Sequence, residues 1–214
     1  MKNILCFGDS NTHGSNPVHG GRWPYHQRWT GILQQALGRD GYYVIEEGLG
    51  GRTTVFDDPA GGEGRSGLQL LVPILNTHAP LDLVLIMLGT NDAKRRFGLT
   101  AYEIAAAAGK LVDKVQAWSM TQPAVPQILL VSPIQMSVDL DNHIFHNMFD
   151  WKSIETSQQF ARYYQQVASD KGVHFFDAAS VAGPSQEDGL HMDAENHESL
   201  ARGLEKTIRK IFTE

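Results

Sequence analysis

The stretch NILCFGDSN, residues 3–11, combines the two features that decide the fold. A mostly apolar run comes first, and a cluster of small polar residues follows it at once. Four further runs of this kind occur, at residues 42–46, 83–88, 127–132 and 173–177. Most of them are continuous rather than alternating, which is typical of strands buried on both faces of a parallel sheet. We therefore predict five parallel strands.

Helical patterns separate the predicted strands. Apolar residues recur at helical spacing along five segments, which start near Trp29, Leu68, Ile104, Phe160 and His197. Thr100 with Glu103 matches a capping box, and Asp193 matches an N-cap. This alternation predicts an α/β fold in a single domain, residues 1–214. We expect a three-layer α/β/α sandwich with a flavodoxin-like five-stranded parallel sheet of order 2-1-3-4-5.

The composition argues against several classes of protein. The formal net charge over 214 residues is −6, whereas nucleic-acid and membrane-surface binders need a basic surface. The densest basic run, residues 94–96, is interpreted as a solvated loop. The single cysteine, Cys6, lies in an apolar run and has no disulfide partner, and no stretch is apolar for long enough to span a membrane. With no signal peptide visible, we expect a cytoplasmic enzyme with no metal and no cofactor.

Four polar clusters are predicted to meet at one edge of the sheet. In open parallel sheets, ligands bind beyond the carboxyl ends of the strands, where the strand order reverses. With the order 2-1-3-4-5, that point lies between strands 1 and 3. The clusters that emerge at this edge are GDSN (8–11), GLGGRT (48–53), GTND (89–92) and DGLH (188–191). This edge is therefore the candidate site.

The residue types in these clusters suit acyl transfer through a serine. Ser10 becomes a nucleophile when a base takes its proton, and His191 is a suitable base. Asp188, three residues before His191, is close enough in sequence to orient the imidazole. Donors to a developing oxyanion are expected from Ser10 N–H, from a backbone N–H of the Gly50-Gly51 turn and from the Asn91 amide.

The four clusters resemble, in order, the sequence blocks of the SGNH-hydrolase superfamily, which includes the GDSL-type lipases and esterases. The resemblance spans essentially the whole chain. The stretches VIEEGLGGRTTVFDDP, LDLVLIMLGTNDAK and FFDAASV are similar to the arylesterase/acyltransferase branch. This resemblance implies a serine esterase for small acetyl-type esters, with water or an alcohol as acyl acceptor, that assembles into a homo-oligomer.

The same resemblance implies a role for each site residue. Ser10 attacks the ester, His191 is the base, and Asp188 supports His191. The oxyanion hole is formed by Ser10 N–H, Gly51 N–H and Asn91.

Two long segments are the predicted walls of the substrate pocket. Residues 12–28 and 133–150 are too long for simple connections, and the second is rich in apolar residues. We expect this second segment to line the acyl pocket and to contact a neighbouring subunit. Its predicted pocket residues are Ile134, Phe145 and Phe149. Asn11 stands where the commoner family pattern has Leu, which makes the floor beside Ser10 more polar and makes Asn11 a further substrate-binding candidate.

Other polar residues near the clusters are predicted to have structural roles. Asp9 is expected to hold its turn by accepting hydrogen bonds, and Asp92 is expected to anchor its loop in the same way. Arg52 and Asp57-Asp58 are expected to tether a loop at the surface. His197 falls on the apolar stripe of the last helix and is interpreted as a packed or capping histidine.

The residues also leave other functions open. The same triad would serve a carbohydrate O-deacetylase or a thioesterase. Ligands for a metal-dependent phosphoesterase would come from Asp9, Asn91, Asp92, His191 and Asp193. The sequence lacks the several spaced His and Asp ligands expected of a two-metal site. A non-catalytic acyl or sugar binder is a weaker alternative, and so is a nucleotide site in GGEGRSG.

Overall fold

The computed structural model describes residues 1–213 and contains a five-stranded parallel sheet. The strands are β1 (Lys2–Gly8), β2 (Tyr42–Gly48), β3 (Leu83–Met87), β4 (Gln127–Ser132) and β5 (His174–Asp177). Their spatial order is β2-β1-β3-β4-β5, and each neighbouring pair is parallel. The predicted strands and their predicted order are confirmed.

Helices cover both faces of this sheet. They are α1 (Ser10–His13), α2 (Trp29–Leu37), α3 (Gly67–His78), α4 (Ala101–Ser119), α5 (Trp151–Gln158), α6 (Phe160–Lys171) and α7 (Ala194–Ile211). Single 3₁₀ turns occur at Tyr25–Gln27, Thr90–Ala93, Leu140–Asn142 and Ala178–Ser180. Helices α3, α4 and α6 share a core with strand residues such as Phe7, whereas α2 and α7 pack against the alternate residues, such as Cys6. The fold is therefore the predicted three-layer α/β/α sandwich. None of the helices within residues 1–213 combines the length and the apolar character needed to cross a bilayer.

The register of the central strands determines where the candidate residues emerge. Gly8, the last residue of β1, pairs with Gly48 of β2 and with Met87 of β3. The three strands thus end at about the same level, and the loops that follow them leave the sheet side by side. A Cβ at position 8 would lie 2.1 Å from Thr12 Oγ1 and 2.9 Å from Met87 O, so this close approach requires glycine.

Two helices differ from the predicted pattern. Residues 10–13, predicted as a turn, form the short helix α1. Residues 151–158, directly after the long segment 133–150, form the helix α5, which was not predicted. The buried residues of α5 are Ser153, Ile154 and Ser157. Because two of these three are serines, the helix carries little apolar periodicity, and its sequence pattern gives no clear signal.

The predicted helix caps are confirmed, and the single cysteine is buried. Thr100 and Glu103 form a reciprocal capping box at the start of α4. Asp193 caps α7 by accepting a hydrogen bond from Asn196 N at 2.9 Å. Cys6 is fully buried, and burial raises the pKa of its thiol well above the usual range. Cys6 is therefore a packing residue rather than a reactive thiol.

Candidate active site

Ser10 is the first residue of α1 and lies directly beyond the end of β1. Asp9 caps this helix, since its Oδ1 accepts a hydrogen bond from Asn11 N at 3.0 Å. This contact confirms the structural role predicted for Asp9. Gly14 ends the helix in the left-handed conformation, and its N–H donates to Ser10 O at 2.8 Å. Ser10 is thus held on a short helix, capped at both ends, at the carboxyl edge of the sheet.

Asp188 orients His191. Its Oδ2 lies 2.6 Å from His191 Nδ1, and its Oδ1 accepts hydrogen bonds from Leu190 N at 2.9 Å and His191 N at 2.8 Å. Burial alone would raise the pKa of this carboxyl, but the hydrogen bonds and the charge of His191 outweigh burial and lower the pKa. The ionised carboxylate holds the proton on Nδ1 and leaves Nε2 as the proton acceptor.

Asn11 joins the serine helix to the histidine loop. Its Oδ1 accepts a hydrogen bond from Met192 N at 3.0 Å, and its Nδ2 donates to Leu190 O at 3.4 Å. His191 lies between these two partners in the sequence. The buried side-chain amide of Asn11, the residue next to Ser10, therefore connects the histidine loop to α1. Asn11 was predicted to bind substrate. In the structure, the oxygen and the nitrogen of its side-chain amide are both hydrogen-bonded to the backbone of the histidine loop, so Asn11 positions His191.

The turn after β2 carries the predicted backbone donor. Leu49 N donates to Gly8 O at 3.1 Å and Arg52 N donates to Leu49 O at 3.0 Å, which folds the turn onto the end of β1. Gly51 has a φ of +78°, a left-handed conformation that residues with a side chain rarely adopt. Asn91 Nδ2 donates one hydrogen bond to Arg52 O at 3.1 Å, which places the amide of Asn91 beside this turn.

Two buried carboxyls accompany these loops. Asp92 accepts hydrogen bonds from Thr54 N at 2.9 and 3.1 Å and from Thr54 Oγ1 at 2.5 Å, so it anchors its loop as predicted. Burial raises the pKa of Asp92 to about 7, against the opposing hydrogen bonds from Thr54. Burial also raises the pKa of Asp9 to about 6, against the Asn11 N–H and the charge of His191.

The donors considered for a metal site do not come together. Within residues 1–213, no group of three or more His, Cys, Asp or Glu side chains is arranged to hold a metal ion. The Asp92 carboxylate is bound to Thr54, and the Asp193 carboxylate caps α7. These residues therefore do not form the oxygen-rich site that a metal-dependent phosphoesterase needs.

The segment 133–150 packs against the histidine loop. The ring of Phe145 meets the imidazole of His191 edge to face, with the ring centroids 5.3 Å apart at an interplanar angle of 73°. Ser137 N also donates to Gly189 O at 2.9 Å. The half-buried Phe145 therefore lies beside the candidate base, and its predicted role in the acyl pocket stays a prediction.

The other predicted wall residues lie deeper. Ile134 is buried beside Asp9 in a crevice with no room for a water molecule, so it does not line an open pocket as predicted. Phe149 is 1% exposed and packs in the core that also contains α5 and α6, so it does not line an open pocket as predicted. Trp23 of the segment 12–28 donates through Nε1 to Met192 O at 3.3 Å. Both long segments thus contact the residues around His191.

Two cations predicted at the surface are buried. Arg52 donates through Nη1 to Gly8 O at 2.9 Å, and its guanidinium carbon lies 4.2 Å from the centroid of the Phe7 ring. Lys94, predicted in a solvated loop, is 4% exposed and pairs with Asp58 Oδ2 at 2.8 Å. Both predictions were wrong because Arg52 folds back against the end of β1 and Lys94 is covered by Asp58 of the loop after β2, and no local sequence pattern reveals that packing.

His197 is a packed histidine, as predicted. It is fully buried, and its Nδ1 accepts a hydrogen bond from Trp29 N at 3.3 Å, which links α7 to the start of α2. Burial lowers the pKa of His197 to about 4, so the imidazole is neutral at pH 7.

The sequence matches a known protein family. The family model described as the GDSL-like lipase/acylhydrolase family matches residues 6–198. No curated protein matches the sequence at a significant level.

Solved structures are similar over nearly the whole chain. A carbohydrate acetylesterase family member from Sinorhizobium meliloti is 39% identical with a TM-score of 0.91, and the match covers 100% of both chains. The aryl esterase of M. smegmatis is also 39% identical with a TM-score of 0.91, and the match covers 98% of this chain and 99% of that chain. Another solved structure is 42% identical with a TM-score of 0.95, and the match covers 100% of both chains.

Proposed function

The chain belongs to the GDSL-like lipase/acylhydrolase family and is a carboxylesterase, and we propose that it cleaves small acetyl-type esters through an acyl-enzyme on Ser10. The observation that carries this proposal is the 2.6 Å contact between Asp188 and His191, on a loop that Asn11 ties to the serine helix. This contact supplies an oriented base on a loop that is hydrogen-bonded to the helix of the candidate nucleophile, which supports a mechanism of serine acyl transfer.

In the proposed mechanism, the proton of Ser10 passes to His191 during attack. Ser10 Oγ bonds to the ester carbonyl carbon while His191 Nε2 takes the hydroxyl proton, and Asp188 stabilises the imidazolium. The carbonyl oxygen becomes an oxyanion, which accepts hydrogen bonds from Ser10 N–H, Gly51 N–H and the Asn91 amide. The bond to the alcohol oxygen then breaks, and the alcohol leaves with the proton from His191.

The second half of the reaction repeats these steps with a different acceptor. Water gives its proton to His191 and attacks the acyl carbon, and Ser10 leaves with that proton as the free hydroxyl. An alcohol that takes the place of water would receive the acyl group as a new ester. We include this acyl transfer in the proposal, since the Phe145 ring beside His191 provides an apolar surface for an alcohol.

The preference for small acyl groups is supported by the walls of the site. The ring of Phe145 packs against the imidazole of His191 and limits the space on that side of the base. Similar proteins are an aryl esterase and a carbohydrate acetylesterase family member, so aryl acetates and O-acetylated sugars are the proposed substrates. Thioesters remain a further candidate class, because the same triad would attack them.

We further propose that the protein forms a homo-oligomer through the long loops at this edge. Several large apolar side chains are exposed there, among them Val138 (79%) and Ile144 (76%) in the segment 133–150. Exposed apolar residues in one segment are typical of a contact surface. A cytoplasmic location, expected from the sequence, is part of the same proposal.

A burst experiment with Ser10→Ala tests the proposed reaction. The wild type should release p-nitrophenol from p-nitrophenyl acetate in a burst, and Ser10→Ala should lose activity by ~10⁴-fold or more, because the nucleophile is removed. Ser15→Ala, five residues further along the same segment, is the matched control and should keep wild-type activity. Retention of turnover by Ser10→Ala would contradict the assignment of the nucleophile.

A substrate series tests the proposed specificity. Rates should fall from p-nitrophenyl acetate to octanoate, and added alcohol should divert the acyl group into a new ester. Acetate release from acetylated sugars, compared with phenyl acetate, separates the two proposed substrate classes. A rate that rises with chain length would contradict the small acyl pocket.

A further inference from the structure

Arg65 binds the peptide that carries the proposed oxyanion donor. Its Nη1 donates a hydrogen bond to Gly50 O at 2.6 Å. This carbonyl and the N–H of Gly51 belong to the same peptide group, on opposite sides of one planar C–N bond. The guanidinium group therefore contacts the same amide that is proposed to bind the substrate oxygen.

The position of Arg65 is fixed from several sides. Its backbone N–H donates to Asp57 Oδ1 at 3.1 Å, and its carbonyl accepts a hydrogen bond from Thr53 N at 3.0 Å. Its Nε donates to Gly61 O at 3.3 Å. A Cβ built at Gly51 would lie 3.5 Å from Arg65 Nε, so the side chain lies against this glycine.

The charge of Arg65 is available to this peptide. Among residues 1–213, no carboxylate lies within ion-pair distance of its guanidinium group. The residue is only partly exposed, so solvent screens the charge less than at an open surface. A hydrogen bond from a charged donor is stronger than one between neutral groups, and bonds in a chain polarise one another.

We propose that Arg65 is a positioning residue of the oxyanion hole, which acts through the Gly50–Gly51 peptide. By binding Gly50 O, it fixes the plane of this peptide and draws electron density towards the carbonyl, which makes Gly51 N–H a better donor. The effect grows as negative charge develops on the substrate oxygen, so it belongs to the transition state rather than to substrate binding. This inference rests on the proposed esterase function.

Three variants of Arg65 test the proposal in burst kinetics with p-nitrophenyl acetate. Arg65→Met keeps an apolar stem, Arg65→Lys keeps the charge, and Arg65→Ala leaves space for an added cation. The acylation rate constant should fall about tenfold in Arg65→Met, a fraction of what loss of a whole oxyanion donor costs, with the substrate Kd changed by less than about twofold. The acylation rate constant of Arg65→Lys should lie between those of Arg65→Met and the wild type.

Two further readouts separate positioning from general structure. Methylboronic acid, which forms a tetrahedral anion on a serine, should bind more weakly to Arg65→Met in proportion to the lost rate. Guanidinium chloride at low millimolar concentration should restore part of the rate to Arg65→Ala, whereas sodium chloride of equal ionic strength should not. Arg162→Met, on the exposed side of α6, is the matched control and should behave as the wild type.

The outcomes are distinguishable. Wild-type acylation and boronate affinity in Arg65→Met, with Ser10→Ala inactive, would overturn the role of Arg65 alone. A rate loss that follows a lowered melting temperature and is not restored by guanidinium would also overturn it, in favour of a structural role. If Ser10→Ala is as active as the wild type, the proposed function fails, and the inference fails with it.

Discussion

Asp92 illustrates how a single buried carboxyl links the site to pH. It holds Thr54, and thereby connects the loop after β3 to the loop that carries Gly51. Burial raises its pKa to about 7 from the ordinary 3.8, so the folded protein binds this proton more tightly than the unfolded chain does. The contribution of Asp92 to the free energy of unfolding therefore falls as pH rises from about 4 to about 7.

The substitution Asp92→Asn tests whether Asp92 makes stability fall as the pH rises. An amide keeps an acceptor for Thr54 but does not ionise, so the variant should lose less stability than the wild type between pH 5 and pH 8. Urea unfolding of both proteins at the two pH values measures the difference. Asp40→Asn, in an exposed turn, is the control and should follow the wild type. Equal slopes for Asp92→Asn and the wild type would show that Asp92 does not titrate in this range.

At the scale of elements, a buried ion pair connects the loop after β2 to the loop after β3. Lys94, beyond β3, reaches Asp58 Oδ2 at 2.8 Å, and Arg96 Nε approaches Asp58 Oδ1 at 3.2 Å. Asp58 is itself buried. Removal of one partner from a buried pair leaves a carboxylate without compensation, which costs far more than the loss of an exposed pair.

Lys94→Met should therefore destabilise the protein by roughly 3 kcal/mol, near the low end for buried pairs because Arg96 remains beside Asp58. The double variant Lys94→Met with Asp58→Asn should recover part of this loss, since no unpaired charge is left buried. Chemical denaturation of the single and double variants measures the coupling. Lys152→Met, at an exposed position, is the control, and its free energy of unfolding should change by less than about 0.5 kcal/mol.

The elements were predicted from sequence better than the contacts between loops. Continuous apolar runs such as 83–88 identify buried parallel strands because both of their faces are covered, and the sheet order then brings Ser10 and Asn91 to one edge. Burial of Lys94 and Phe149 depends instead on how residues distant in sequence fold over them. The same is true of Arg65, which reaches Gly50 from the other end of the same loop, 15 residues further along the chain, and carries no motif of its own.

At the scale of the whole molecule, the exposed apolar loops predict self-association. The wild type should have a mass in solution that is a multiple of the 23.7 kDa chain. Ile144→Asp combined with Val138→Asp should shift the mass towards one chain, because charges on the contact surface oppose its burial. Light scattering after size-exclusion chromatography measures the mass. Met120→Asp, exposed at the far end of α4, is the matched control, and a wild type at 23.7 kDa would contradict the prediction.

The hydrogen bonds of Asn11 can form only late in the synthesis of the chain. Its two partners, Leu190 and Met192, lie about 180 positions downstream. The amide therefore lacks these hydrogen bonds until the ribosome has synthesised both residues. Strands β1 to β5 are all complete by Asp177, whereas His191 follows later. A nascent chain therefore contains all five strands before it contains the proposed base, and the proposed reaction cannot begin until the histidine loop has been synthesised.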